Sequence, residues 1–119
     1  MNIRIIGSAK IAVVESDSLV ITDGQSALDL LATVDHIYGT QRVIIPKSAV
    51  SEDFFKLSTG IAGEVAQKFV NYRFRVVIVG DFSGYTSKPL HDYIYECNNG
   101  QHINFVATES EAITRLSLS

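Results

Sequence analysis

The stretch RVIIPKSAVSEDFFKLSTGIAGEVAQKFVNYRFRVVIV, residues 42–79, decides the fold. It opens on the apolar run Val43-Ile44-Ile45 and closes on another, Val76-Val77-Ile78-Val79. Branched apolar runs without polar alternation belong to strands covered on both faces, as in parallel sheets. Between them, Ile61, Ala62, Val65, Ala66, Phe69 and Val70 recur at helical spacing over 60–72. Glu64, Gln67, Lys68 and Asn71 take the opposite, water-facing side, with Glu64 and Lys68 at the favourable i,i+4 spacing. A short helical turn is expected over 52–56. Strand, helix and strand in this order predict a parallel crossover.

Working outward toward the N-terminus, three β-rich runs at 3–6, 11–14 and 19–22 are separated by the turn-like Gly7-Ser8-Ala9-Lys10 and Glu15-Ser16-Asp17-Ser18. They predict an antiparallel meander. Asp23 then supplies an N-cap for a helix of about four turns, carrying Ala27, Leu30, Leu31, Val34, Ile37 and Tyr38 and ending at Gly39. Toward the C-terminus, Ser87 caps a helix that takes Pro89 in its first turn and buries Leu90, Tyr93, Ile94 and Cys97. A last strand at 102–107 leads to a helix opened by a capping box of Thr108 and Glu111. The expected architecture is a single α/β domain over residues 1–119, with a mixed β-sheet of antiparallel N-terminal strands followed by parallel βα crossovers.

Composition bounds the function classes. A chain of 119 residues with 46% hydrophobic content can bury one core without disulfides or metal. Ten Lys and Arg against 13 Asp and Glu, a net charge of -3, with Arg73 and Arg75 as the most basic local group, give no basic face for nucleic acid. No apolar run approaches the roughly 20 residues needed to span a bilayer. The start Met1-Asn2-Ile3-Arg4-Ile5-Ile6 lacks the pattern of a signal peptide. The single Cys97 cannot form an internal disulfide and reads as a buried small hydrophobe. A cytoplasmic protein is expected, without nucleic-acid or membrane partners. His36, His91 and His102 fall on separate elements without metal-ligand spacing, so neither a metal site nor a cofactor is expected. No phosphate-loop or dinucleotide fingerprint is present.

In open α/β sheets, ligands favour the crevice beyond the carboxyl ends of the strands, where helix N-termini present free N–H groups. Three segments should converge there: Pro46-Lys47-Ser48, the loop from Asp81 to Lys88, and Ala107-Thr108-Glu109. The middle one is richest, with Asp81, Ser83, Tyr85, Thr86, Ser87 and Lys88 offering a carboxylate, four hydroxyls and an amine beside Gly84. These groups suit a small anion, whereas as plain structure Asp81 and Ser83 set a turn, Ser87 caps a helix and Tyr85 packs over the sheet edge. A second candidate is Leu57-Ser58-Thr59-Gly60-Ile61-Ala62-Gly63, with Ser58, Thr59 and Gly60 at the start of the central helix. A phosphoryl group on Thr59 would add about -1.5 to -2 charges beside the positive end of that helix. As plain structure, Ser58 or Thr59 is its N-cap. No catalytic residue is assigned, because no cluster identifies a reaction.

The run Leu57-Ser58-Thr59-Gly60-Ile61-Ala62-Gly63 resembles the signature of STAS domains, the anti-sigma factor antagonists, in which Asp-Ser-Ser/Thr-Gly-Leu-Gly opens a helix. Leu57 stands where that pattern has Asp. The element order is also similar. Over nearly its full length the chain resembles the bacterial family known as domain of unknown function 4180. That likeness is carried by residues 57–69 with Asn71-Tyr72, Val79-Gly80-Asp81-Phe82-Ser83, Tyr85-Thr86-Ser87-Lys88 and Ile94-Tyr95-Glu96. The STAS resemblance implies a non-enzymatic regulator that binds a protein partner, with phosphorylation of Thr59 turning binding off.

The expected function is therefore a bacterial regulatory or protein-interaction module, not an enzyme, using Ser58, Thr59 and Gly60 with the neighbouring loop of Asp81, Ser83, Tyr85, Thr86, Ser87 and Lys88. The rival reading is an anionic-ligand binder or minor enzyme that uses Asp81, Tyr85, Thr86, Ser87 and Lys88. A third is a structural subunit joined through an apolar strand or helix face, a homodimer included.

Overall fold

The computed structural model describes residues 1–118. The sheet has five strands in the order β1 (Asn2–Ile6), β2 (Ile11–Glu15), β3 (Arg42–Pro46), β4 (Arg75–Val79) and β5 (Ile103–Val106). The β1–β2 pair is antiparallel and every later pair is parallel. The mixed α/β architecture is therefore as expected. Helices α1 (Gly24–Thr33), α2 (Ile61–Asn71) and α3 (Lys88–Asn98) connect the parallel strands, and α4 (Glu109–Ser117) follows β5.

Each crossover advances by one strand in the same direction, so crossovers of one hand place α1, α2 and α3 on one face. Burial agrees with this. Ala12, Val14, Val43, Ile45, Val76, Ile78, Ile103 and Phe105 pack with Leu30, Leu31, Val65, Phe69 and Leu90 on that side. Alternate residues of the same strands, Ile11, Val13, Ile44, Val77 and Val106, pack with Ala112 and Leu116 of α4 on the other. The apolar runs of β3 and β4 are at most 2% exposed at Val43 to Ile45 and Val76 to Ile78, which is why they lack polar alternation.

The third strand of the expected meander does not form. Residues 19–22 leave the sheet, and Ile21 makes one isolated parallel bridge to Val50. The N–H groups of Val20 and Ile21 both donate to Ala49 O, at 2.7 and 3.0 Å, and Ser51 N–H donates to Ile21 O at 2.8 Å. Only Ile21 is buried, while Leu19 is 54% exposed, so the run anchors a loop in the core and lacks the apolar face of a sheet strand.

Two helices depart from the expected pattern in detail. Helix α1 starts with a reciprocal cap between Asp23 and Ser26, and its last turn widens into a π-turn at Val34–Tyr38 before Gly39 ends it at a φ of 65°. In α2 the Glu64 carboxylate does not pair with Lys68. It accepts the Gly24 N–H at 2.9 Å, closing the start of α1 from a neighbouring helix. Val70 is exposed, outside the inward stripe. At α4, Thr108 accepts the Glu111 N–H, but its hydroxyl faces the Glu111 carboxylate, so only half of the expected box is present.

Candidate functional site

The site grows from the parallel register of β3 and β4. Pro46 lies beside Val79, so the next residues, Lys47 and Gly80, leave the sheet side by side. The Lys47 stem crosses directly over Gly80, where a Cβ would come within 2.5 Å of Lys47 Cβ. Glycine is therefore required there for close approach, and the lysine is aimed along the top of the sheet.

After β3, residues 47–59 form three 3-10 turns, Lys47–Ala49, Glu52–Phe55 and Leu57–Thr59, with Phe54 and Phe55 buried. After β4, residues 80–87 form a loop that ends at the Ser87 cap of α3. The two loops meet. Lys47 Nζ lies 3.1 Å from Glu52 Oε1, and the Tyr85 hydroxyl donates to Glu52 Oε2 at 2.8 Å. The Tyr85 ring stacks on Phe55 with centroids 5.1 Å apart and 22° between planes. Lys47 Nζ sits 5.1 Å from the Tyr85 centroid and 5.5 Å from that of Phe55, within cation–π range. Phe82 and Phe105 extend the aromatic packing inward.

These contacts hold each titratable group in its resting charge state. The Tyr85 hydroxyl, and after it Glu52, raise the Lys47 ammonium above the usual range. Hydrogen bonding from Tyr85 and then Lys47 lowers the Glu52 carboxyl, and burial raises the Tyr85 phenol. A general acid or base works best with its pKa near the operating pH, and all three move away from neutrality.

Beside this cluster lies an open cleft of about 560 Å³. Its apolar lining comes from Phe55, Leu57, Tyr85, Pro89 and Leu90, and its polar lining from Glu52, Lys56, Ser58, Thr86 and Ser87. Residues from both candidate segments, Ser58 from one and Tyr85, Thr86 and Ser87 from the other, thus line a single cleft. The Ser58 side chain is exposed and makes no hydrogen bond among the described residues.

The remaining candidates lie elsewhere. The Thr59 hydroxyl is shared between Asp53 O and Lys56 O, each at 2.8 Å, and accepts the Ile61 N–H at 3.2 Å, so it pins the turn that enters α2. Gly60 follows in the left-handed region with a φ of 78°. Asp81 binds the Ser83 hydroxyl and N–H at 2.6 and 2.9 Å, and those bonds, the hydroxyl first, hold its carboxyl below the usual range. Lys88 pairs with Asp92 at 2.7 Å on the outer side of α3. Glu109 meets Pro46 of the first segment in a separate cleft and lies apart from the Asp81 to Lys88 loop. It binds Arg4 at 2.9 Å beside a smaller cleft of about 220 Å³ lined by Val13, Ile44 and Val79, which belong to the α4 face.

Sequence reasoning missed Glu52, Phe55 and Lys56, while Leu57 opened the second candidate run. Glu52 lies five residues after Lys47, a spacing that announces no helical pair, and only the intervening 3-10 turns bring the two together. His91 Nε2–H donates to Tyr85 O, and His102 Nδ1–H to Phe74 O, so both rings brace backbone. Among the described residues no group of His, Cys, Asp and Glu could hold a metal ion, and no helix is long and apolar enough to cross a membrane.

The chain belongs to the family described as Domain of unknown function (DUF4180), whose model matches residues 6–116. No curated protein and no solved structure matches it.

Proposed function

We propose that this protein is a non-enzymatic regulatory or interaction module of a bacterial cell, and that its working surface is the cleft between residues 52–58 and 84–90. The observation that carries the reading is the meeting of the post-β3 and post-β4 loops around one mostly apolar cleft, beside Lys47, Glu52 and Tyr85, which are paired with one another. No reaction centre is needed to explain such a surface. An apolar floor with a rim of hydroxyls suits an apolar side chain of a partner flanked by backbone polar groups.

The likeness to STAS domains at residues 57–63 supports the same assignment, with Thr59 as the point of control. Phosphorylation there would act by a specific route. It would remove the hydrogen that Thr59 shares with Asp53 O and Lys56 O and so disturb the turn that carries Leu57 and Ser58 into the cleft.

The cleft volume lies within the range of about 300–1,000 Å³ typical of small-molecule sites, which favours a small apolar ligand as the second reading. An anionic ligand is less well served, since Lys88 is paired with Asp92 and Lys56 lies 3.7 Å from Asp53. The test is affinity capture from a lysate of cells carrying the native gene, comparing wild type, Ser58→Arg and Lys68→Glu. A protein captured by wild type and Lys68→Glu but lost with Ser58→Arg supports the module. Equal capture by all three, or none by any, contradicts it. In the latter case, a thermal shift with millimolar indole or benzoate supports the ligand reading.

A further inference from the structure

The two edges of the sheet are finished differently. At the outer edge of β5, the Asn98 side chain acts as a short neighbouring strand: its Oδ1 accepts the Phe105 N–H at 2.7 Å and its Nδ2 donates to Phe105 O at 3.1 Å. The Asn104 amide reinforces this by donating to Cys97 O and Gly100 O at 2.9 and 3.1 Å, fastening the end of α3 to the strand. Edge strands are usually guarded in such ways, or by charge, proline or a bulge.

At the other edge, no side chain of the described residues bonds to the backbone of β1, and β1 carries neither proline nor lysine. Its one charge, Arg4, is drawn to Glu15 at 3.2 Å and Glu109 at 2.9 Å, so carboxylates of its own copy more than offset the positive charge that would repel an incoming strand. Ile3 and Ile5 lie opposite Val14 and Ala12 and so share one face, and Ile5 is 39% exposed.

We propose that β1 pairs antiparallel with β1 of a second copy, about a two-fold axis through Arg4. In that register Ile3 faces Ile5 of the second copy, twice by symmetry, and the two Arg4 residues face each other with their charges already compensated. Cross-strand apolar pairs of this kind stabilise a sheet, while bare like charges oppose it. The contact is isologous and closes at two copies. Asn98 keeps β5 from extending the sheet further. Pairing over five residues buries less than the roughly 1,200–2,000 Å² of standard stable interfaces, so the dimer is reversible and concentration-dependent.

Sedimentation equilibrium of the full chain, from micromolar to millimolar concentration, tests this. The expected result is a reversible monomer–dimer equilibrium whose dissociation constant rises at least about tenfold in Ile5→Lys and also rises in the double variant Glu15→Gln/Glu109→Gln, which uncovers the Arg4 charge. Thermal melts of each variant check that the monomer remains folded. Independently, Arg4→Cys in a Cys97→Ser background is expected to form a disulfide-linked dimer on mild oxidation, since the two thiols meet at the axis. A monomer at every concentration, a dimer indifferent to Ile5→Lys, or no disulfide-linked dimer would each overturn the proposal. Pairing of β1 only with a strand of another protein would do so as well.

Discussion

Tyr85 donates its hydroxyl hydrogen bond to Glu52 Oε2 over 2.8 Å, joining two loops that leave the sheet from different strands. The bond is exposed, and the Tyr85 ring is also stacked on Phe55, so the phenol and the ring contribute separately. Tyr85→Phe is expected to change stability by less than about 1 kcal/mol, because an exposed bond is exchanged for water. Amide exchange in residues 52–58 and 82–87 should nevertheless speed up. Tyr85→Ala also loses the stack and should cost about 1–3 kcal/mol by urea unfolding.

The Lys47–Glu52 pair sets a pH window. Glu52 has a lowered pKa in the fold, so its contribution is present above its unfolded value and is lost as pH falls through the folded one. Lys47 has a raised pKa, so its contribution is present below its unfolded value and is lost as pH rises through the folded one. The difference in urea midpoint between wild type and Glu52→Gln should therefore be flat near neutrality. It should shrink below the ordinary carboxylate range and again above the ordinary lysine range. Both side chains keep contact with water, so the whole effect should weaken in high salt.

Thr59 is a pin in the structure, and this separates three substitutions. Thr59→Ser keeps the shared hydroxyl and should be close to neutral. Thr59→Val keeps the shape, strands the Ile61 N–H, and should cost about 1–2 kcal/mol. Thr59→Glu should add local amide exchange in residues 53–61 and reduce partner capture. Capture by Thr59→Glu equal to wild type would exclude switching at this position.

Gly24 and Glu64 are matched across two helices. A Cβ at position 24 would lie 2.4 Å from Glu64 Oε1, the far end of a flexible side chain that can swing away. Gly24→Ala should then lose the 2.9 Å capping bond, at about 1 kcal/mol. In a Glu64→Ala background the same change should be nearly neutral. A double-mutant cycle by urea unfolding reads the difference, and additivity would contradict the coupling.

Much of the framework was legible because its signals were local. The unbroken apolar runs of β3 and β4, the Asp23, Ser87 and Thr108 caps, and Gly39 as a stop each depend on a few neighbouring residues. The failures were of another kind. Residues 19–22 have the composition of a strand, yet their backbone bonds to residues 49–51, a long-range choice that composition does not encode. Glu64 looks like half of an i,i+4 pair until α1 arrives with an unsatisfied Gly24 N–H. For the site, the hydroxyl-rich loop and the Ser58 segment were visible as sequence and expected to be neighbours, but the Lys47–Glu52–Tyr85 and Phe55 contacts that join them were not. Those contacts depend on 3-10 turns that carry Glu52 and Phe55 back over the ends of β3 and β4.

The most direct test of the proposed interaction cleft is photo-crosslinking in living cells, with p-benzoylphenylalanine placed at Thr86, at Ser58, or at Thr114 on the opposite face. The predicted result is one shared adduct from positions 86 and 58 that is absent from position 114. Adducts of equal yield from all three, or none from positions 86 and 58, would contradict it.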